Sequence, residues 1–403
     1  MHVLLLNQFF APDPAPTGQL LADVARGLSE QGYSVSVICS SGRYASAEVE
    51  IQEMPGIEVQ RVRCTPFGRG HAARALSYAS FFFSAFSRSL FGRRPDVIVT
   101  LTTPPLLSLA GTMVKQLRGA KHVIWEMDVF PDVAVALNVF AAGSLLDRIS
   151  SALADLSRRR SDRVVVLGPC MRDCVERRGI PAAKLSVAEN WVSGLPIHER
   201  PLPEAPPLVV LYSGNFGMAH DVETIAQAMT RLRDPADYRF VFAGGGIRHA
   251  PLQARCQAGG LVNVLFLAYR DAADLVGHFA SCHIGLVTQE DAALGCVVPS
   301  KCYPFLSAGR PFLFVGPAQA TPALLIERYG CGWRIAPGDI DALTALLQRL
   351  AAEPELVRVA GRRARETFVN RYDRHAGVSR ILSVLAKESY SQVDQKHPVQ
   401  HGI

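Results

Sequence analysis

The stretch Gly295-Cys-Val-Val-Pro-Ser-Lys301-Cys-Tyr-Pro-Phe-Leu-Ser-Ala-Gly-Arg-Pro311 sets a turn of small residues and a lone lysine at the start of a helical run, just after the apolar strand pattern His283-Ile-Gly-Leu-Val287. Strand, turn and helix in that order are the repeating unit of a parallel α/β sheet. The first amides of a helix lack intrahelical partners and carry partial positive charge, so such a turn suits a phosphate, and Lys301 adds a full charge. Six of the 42 cationic residues are lysines, and Lys301 is the only one between Lys184 and Lys387. An ordinary helix capped by Ser300 fits the same residues.

The alternation repeats on both sides of this stretch. Strands are expected near 208–213, 238–243, 262–267, 283–288 and 311–315, and in the first half near 2–7, 34–39, 57–63, 96–101, 121–127 and 162–167, with helical patterns between most of them. The proline-rich run Pro196-Ile-His-Glu-Arg-Pro-Leu-Pro-Glu-Ala-Pro-Pro207 cannot form a regular helix and reads as a linker. At 403 residues the chain has room for two cores. The expectation is an α/β protein of two Rossmann-like, doubly wound parallel-sheet domains facing a cleft. The first spans 1–195, the linker 196–207 and the second domain 208–372. A helix over 373–388 is expected to cross back onto the first domain, and 389–403 to be a disordered polar tail.

Hydrophobic residues make up 49% of the chain and charged residues 19%, far from a disordered composition. The uncharged run Val97 to Val114 is broken by Thr102-Thr103-Pro104-Pro105, and Val133 to Leu146 is too short to span a bilayer. With Met1-His2-Val3-Leu4-Leu5-Leu6 already reading as a strand, a secretory leader is not expected, and the protein is placed in the cytoplasm. Nine cysteines without C-x-x-C spacing indicate neither a disulfide framework nor a zinc site; reduced, mostly buried thiols are expected.

Four more loops at expected strand ends carry candidate chemistry. Pro14-Ala-Pro-Thr-Gly18 opens the first helical run, where glycine lets backbone approach a ligand or serves an inert turn. In the second domain, Ser213-Gly214-Asn215-Phe216-Gly217 and Ala243-Gly244-Gly245-Gly246-Ile247-Arg248 put two further anion-compatible turns on the sheet edge that holds Gly295 to Lys301. A G-x-G-x-x-G fingerprint is absent, so the reading is a phosphate-bearing ligand rather than a specified dinucleotide. Arg248 reads either as a phosphate partner or as a solvated first-turn residue. In the first domain, Trp125-Glu126-Met127-Asp128-Val129-Phe130-Pro131-Asp132 places carboxylates at a strand end: Asp128 to bind a hydroxyl, Asp132 to cap the next helix. Asp339-Ile-Asp341 reads as a helix cap, not a metal site.

From Val59 to Pro95 the chain holds seven arginines and no acid. On a helix, Ala75, Ala79, Phe82, Phe83, Phe86 and Leu90 fall on one apolar face. That face is read either as core alone or as core plus contact with a bilayer interface, where Arg69, Arg74, Arg88, Arg93 and Arg94 would meet anionic headgroups. Nucleic acid is not expected as a partner, since no binding motif accompanies the charge.

With these residues in view, the chain resembles the retaining family 4 glycosyltransferases of the GT-B fold, in particular bacterial enzymes that extend lipid-linked sugars for surface polysaccharides. The carriers are Pro14-Ala-Pro-Thr-Gly18, Asp128-Val-Phe-Pro131, Asn190-Trp191-Val192, Tyr212-Ser-Gly-Asn215, and above all Val298-Pro-Ser-Lys301 with Ala308-Gly-Arg-Pro311. The resemblance implies a nucleotide-sugar donor, UDP-sugar ahead of GDP-sugar, held mainly by the second domain. Its donor-binding residues would be Gly18, Gly214, Asn215, Gly245, Arg248, Gly295, Cys296, Val297, Val298 and Ser300, with Lys301 and Asp128 catalytic and no metal or other cofactor required. It also implies a polyprenyl-diphosphate-linked glycan acceptor and a peripheral place on the inner face of the plasma membrane. The acceptor and membrane residues would be Arg69, Arg74, Phe82, Phe86, Arg88, Arg93, Arg94 and Trp125.

The chain departs from the family pattern at several positions. Cys296 and Pro304 stand where many relatives carry two glutamates, Met218-Ala219-His220 where a basic residue is common, and Trp125 where a histidine is common. The expected activity is hexosyl or N-acetylhexosaminyl transfer with retention. A nucleotide-sugar 2-epimerase and a non-catalytic membrane-associated assembly protein are the alternatives.

Overall fold

The computed structural model describes residues 1–41, 54–66, 68, 70–193, 200–270 and 274–396. It divides into two compact units, Met1–Gly194 with Arg374–Ile403, and Leu195–Asp373.

In the first unit the strands are β1 His2–Leu6, β2 Ser34–Ser40, β3 Ile57–Val62, β4 Val97–Thr100, β5 Lys121–Trp125, β6 Arg163–Val166 and β7 Leu185–Val187. They form one parallel sheet in the order β3-β2-β1-β4-β5-β6-β7. The crossovers are α1 Pro16–Glu30, α2 His71–Phe91, α3 Ser108–Arg118, α4 Asp132–Ala136, α5 Leu145–Arg160 and α6 Pro169–Arg177. β1, β4 and the inner part of β5 are buried along their whole length, as strands covered on both faces must be. Pro16 opens α1, where its missing N–H costs nothing.

In the second unit β8 Leu208–Asn215, β9 Tyr238–Gly245, β10 Val264–Leu267, β11 Ile284–Thr288, β12 Phe312–Val315 and β13 Gly332–Ile335 form a parallel sheet in the order β10-β9-β8-β11-β12-β13. α7 Glu223–Arg231, α8 His249–Ala258, α9 Leu275–Ala280, α10 Cys302–Ser307, α11 Thr321–Tyr329, α12 Ile340–Ala352 and α13 Pro354–Thr367 connect or cover them. The core joins Val210, Phe240, Ile284 and Leu313 of the sheet to Leu343, Leu347 and Val357 of the covering helices. These are two Rossmann-like parallel-sheet domains of the GT-B class. Asp339 caps α12 by accepting the Ala342 amide, and no group of histidine, cysteine and carboxylate side chains is arranged to hold a metal among the described residues.

The last helix, α14 Arg374–Lys396, belongs to the first unit and packs on α1. Arg374 pairs with buried Asp23 at 3.0 Å, and Trp191 donates its indole N–H to the same carboxylate at 3.0 Å. Helical backbone thus runs on to 396, into the stretch expected to be a disordered tail, while 397–403 lie outside the described residues. Of the linker, 196–199 lie outside the described residues as well. Arg200 and Pro201 are tied to the second unit by buried Arg310, whose guanidinium donates to both carbonyls at 2.9 Å. All nine cysteines are free and all but Cys64 are buried.

Candidate functional site

At the C-terminal edge of the second sheet the β8 and β9 loops lock together. Gly214 and Gly244 have φ of 122° and 128°, which only glycine adopts without strain, and a Cβ on Gly244 would lie 2.2 Å from the Gly214 carbonyl oxygen. Across this contact Phe216 donates its amide to the Gly245 carbonyl at 2.6 Å, and Arg248 donates its amide to that of Phe216 at 3.0 Å. The glycines expected to admit a ligand are therefore first required by the packing of one loop on the other.

The turn after β11 is built on Gln289, which is buried and donates from Nε2 to the carbonyls of Ala293 and Val297 at 3.0 and 3.2 Å. The amides of Cys296 and Val297 are spent on the Ala293 carbonyl, and Leu294 and Val297 form a backbone bridge across the turn. Helix α10 is six residues long and Lys301, not Ser300, is its N-cap residue, with no side-chain cap. This corrects the helix-start picture: so short a helix sums only a few peptide dipoles, and the positive charge of the site comes from Lys301 itself.

The Lys301 side chain passes over Gly214 and ends with Nζ 3.2 Å from His220 Nε2 and 5.6 Å from the centre of the Tyr212 ring. Buried His220 contacts the Thr288 carbonyl oxygen through Nδ1 at 2.8 Å. A carbonyl only accepts, so the proton sits on Nδ1 and Nε2 offers its lone pair to Lys301. Burial first, then the Lys301 charge, push the His220 pKa down to about 3, keeping the ring a neutral acceptor. Burial lowers Lys301 to about 8. Tyr212 completes the socket, donating its hydroxyl to the Asn215 carbonyl at 2.7 Å.

Arg248 pairs with Glu290 at 3.0 Å and donates to the Met218 carbonyl at 3.0 Å, so it is neither loose in solvent nor free of an anion. Ser300 and Asn215 are exposed and Cys296 is buried. Lys301, Gly214, Asn215, Gly245 and Arg248 are brought to one sheet edge. His220, Tyr212 and Gln289 join them without having been singled out as site residues; the available signal was the departure from the resembled family at position 220.

In the first unit two expectations are corrected. Gly18 lies inside α1, its amide is spent on the Ala15 carbonyl, and a Cβ there would lie 3.0 Å from the backbone of Phe9 and Phe10. Packing accounts for the glycine, and the amide is not open to a phosphate. Trp125 is buried and stacks on Trp191 with ring centres 5.8 Å apart, so it is core and not an acceptor or membrane surface residue.

Asp128 follows β5 in a loop held from beneath. Arg158 of α5 donates to both oxygens of buried Glu126 at 3.2 and 2.7 Å and to the Phe130 carbonyl at 2.9 Å. Arg178 ties Asp155 to Asp132 at 2.8 and 3.1 Å, so Asp132 is an ion-pair partner while Pro131 is the N-cap residue of α4. Crowding by surrounding protein first, then the Glu126 charge, raise the Asp128 pKa to about 6. The side chain itself is exposed, so this is a carboxyl hemmed in on several sides and open to water on another, which screens part of the effect.

Helix α2 buries Ser77, Phe81, Ala85 and Ser89, a stripe rotated from the expected face. Phe82 and Phe86 are partly buried against the core, Ala75 and Ala79 are exposed, and the outward aromatics are Phe83 and Phe91, 68% and 81% exposed. Arg74, Arg88, Arg93 and Arg94 are exposed with them; Arg69 lies outside the described residues. Among the described residues no helix is long and apolar enough to cross a membrane.

Residues 17–191 match the family described as Glycosyl transferase 4-like domain, and residues 196–367 match Glycosyl transferases group 1. The chain belongs to these glycosyltransferases. It is 27% identical to the probable glycosyltransferase WbjE of Pseudomonas aeruginosa over 71% of this chain and 75% of that one. To the putative colanic acid biosynthesis glycosyl transferase WcaI of Escherichia coli K12 it is 25% identical over 91% and 96%. The solved structure of Anabaena Alr3699/HepE in complex with UDP-glucose shares the fold, with a TM-score of 0.68 at 15% identity over 96% of this chain and 100% of that one.

Proposed function

We propose that the protein moves a hexosyl or N-acetylhexosaminyl group from a nucleotide sugar, UDP-linked ahead of GDP-linked, to a polyprenyl-diphosphate-linked glycan, with retention. The observation that carries the reading is Lys301, a half-buried cation held by His220 where the β8 and β11 loops meet. Negative charge grows on the departing diphosphate, so a cation fixed there is worth more in the transition state than in the ground state. The backbone of the turn from Gly295 to Val298 would aid it. Asp128 orients the acceptor hydroxyl. The UDP-glucose held by the similar fold of HepE supports the donor class, and the name of WcaI, colanic acid biosynthesis, supports a surface glycan as product.

The exposed aromatics and arginines of α2 support an anionic membrane surface as the place of work, on the cytoplasmic side where nucleotide sugars are made. The test is a panel of sugar nucleotides scored for UDP or GDP release with and without a polyprenyl-diphosphate sugar, in chelator and in added manganese. Release that needs the lipid acceptor and persists in chelator supports the reading. Conversion of a sugar nucleotide without acceptor would make the protein an epimerase, and an inert panel a non-catalytic one. Activity lost in chelator and restored by manganese would take the leaving-group role from Lys301.

A further inference from the structure

α5 carries an outward face that the sugar-transfer reading does not use. Leu145, Leu146, Ile149 and Leu156 are 75%, 57%, 49% and 42% exposed, and Val139 just before the helix is 58% exposed. Leu145, Ile149, Ala152 and Leu156 follow the spacing of one helix stripe. Arg148, Arg159 and Arg160 are exposed alongside it. Between 139 and 160 the two carboxylates are engaged: Asp147 accepts from the Gly143 amide and the Ser151 hydroxyl, and buried Asp155 pairs with Arg158, Arg178 and, at 3.7 Å, Arg159. The face is apolar and cationic, with no exposed acid.

We infer that this face of α5 is a lipid-contacting surface that docks on an anionic bilayer, a second contact beside α2; this rests on the membrane reading above. Charge complementarity selects the occupant. A second copy of the chain would set Arg148 and Arg160 against like charges, whereas an anionic leaflet supplies their partners and takes the leucines into its interface. The layer is continuous, since α3 packs on both α2 and α5 and leaves Leu117 exposed between them. The opposite face of α5 is functional too. Through Arg158 it bonds to Glu126 and to the Phe130 carbonyl, the two sides of Asp128. A bilayer bound along α5 would therefore have the Asp128 loop fastened to the docked helix, where the sugar of a lipid-linked acceptor rises from the headgroups.

The experiment uses the full chain and vesicles of phosphatidylcholine with about one-third phosphatidylglycerol. The variant Leu145→Ser/Leu146→Ser/Ile149→Ser removes only outward side chains, and Phe83→Ser/Phe91→Ser does the same on α2. The α5 variant should melt like the parent, stay at the parent's oligomeric state, and partition onto vesicles about tenfold less or worse. Arg148→Glu/Arg160→Glu should repeat the loss at low salt and lose less at high salt. Parental vesicle binding by the α5 variants, with loss in the α2 variant, would overturn this inference and leave the membrane reading standing. A parent that ignores the vesicles would overturn both. A dimeric parent turned monomeric by the α5 changes would make a second copy the occupant and overturn it as well.

Discussion

His220 Nε2 lies 3.2 Å from Lys301 Nζ, although the two residues are 81 positions apart. The contact makes Lys301 a built part of the site and not a free surface cation. Its partner is fixed in one tautomer by the Thr288 carbonyl and held neutral by burial, so it accepts from the ammonium below about pH 8, where Lys301 keeps its charge.

Lys301→Ala should lower turnover by about 100-fold or more while the fold persists, as loss of a transition-state charge stabiliser does. His220→Phe keeps the ring but deletes the acceptor and should lower kcat more than it raises the donor KM. His220→Gln, which keeps an acceptor, should recover most of that loss. Steady-state kinetics with donor varied at saturating acceptor reads all three; a fully active Lys301→Ala removes this lysine from the chemistry.

The raised pKa of Asp128, about 6, places its ionisation inside the usual assay range. The carboxylate form is populated above that value, so kcat/KM for the acceptor should climb from pH 5 to pH 7 if the ionised group orients the hydroxyl. Asp128→Asn should be slow and lack this limb. A parental limb in the variant assigns the titration to another group.

Arg158 holds two buried carboxylates and one carbonyl, so Arg158→Met leaves Glu126 charged, buried and unpaired. Removing one partner of such a group costs about 3–5 kcal/mol. Arg178→Met, at a more accessible pair, should cost less. Chemical denaturation of the two variants should rank them in that order, and equal midpoints would mean that water reaches Glu126 in the folded chain.

Acid should destabilise the first unit in part through His122. It is fully buried and its pKa is pushed down to about 3, chiefly by burial. Between that value and the ordinary 6.5 the unfolded chain binds the proton and the folded chain does not, so stability present above pH 6.5 is lost as pH falls, at about 1.4 kcal/mol per pH unit for this group. His122→Asn should be less stable at neutral pH but show a shallower decline between pH 6 and pH 4 in urea melts. An unchanged slope would place the acid sensitivity elsewhere.

Most strands could be read in advance because buried parallel strands are unbroken apolar runs closed by glycine or proline. The two that were not, β7 and β13, are short edge strands; β7 has three residues, and β13 begins with a glycine and includes an exposed arginine. On α2 the phenylalanines pointed to the wrong stripe. The helix buries Ser77 and Ser89, whose hydroxyls bond to Gln8 and to the Ala85 carbonyl, and leaves Phe83 in the open. A polar side chain with a partner is cheap to bury, and which partner awaits it is not written in the helix's own periodicity.

The amino-acid sequence alone determined the alternation of strands and helices, the glycine turns at strand ends, and the lysine after them, because these follow from the period of apolar residues and from backbone freedom within a few positions. Only the tertiary structure decided that Lys301 rests on His220, that Gly18 serves packing, that Trp125 belongs to the core and that α5 turns its leucines outward. Each of those depends on a surface brought from a distant part of the chain, and the free energy of burial or of a hydrogen bond is set by both partners together.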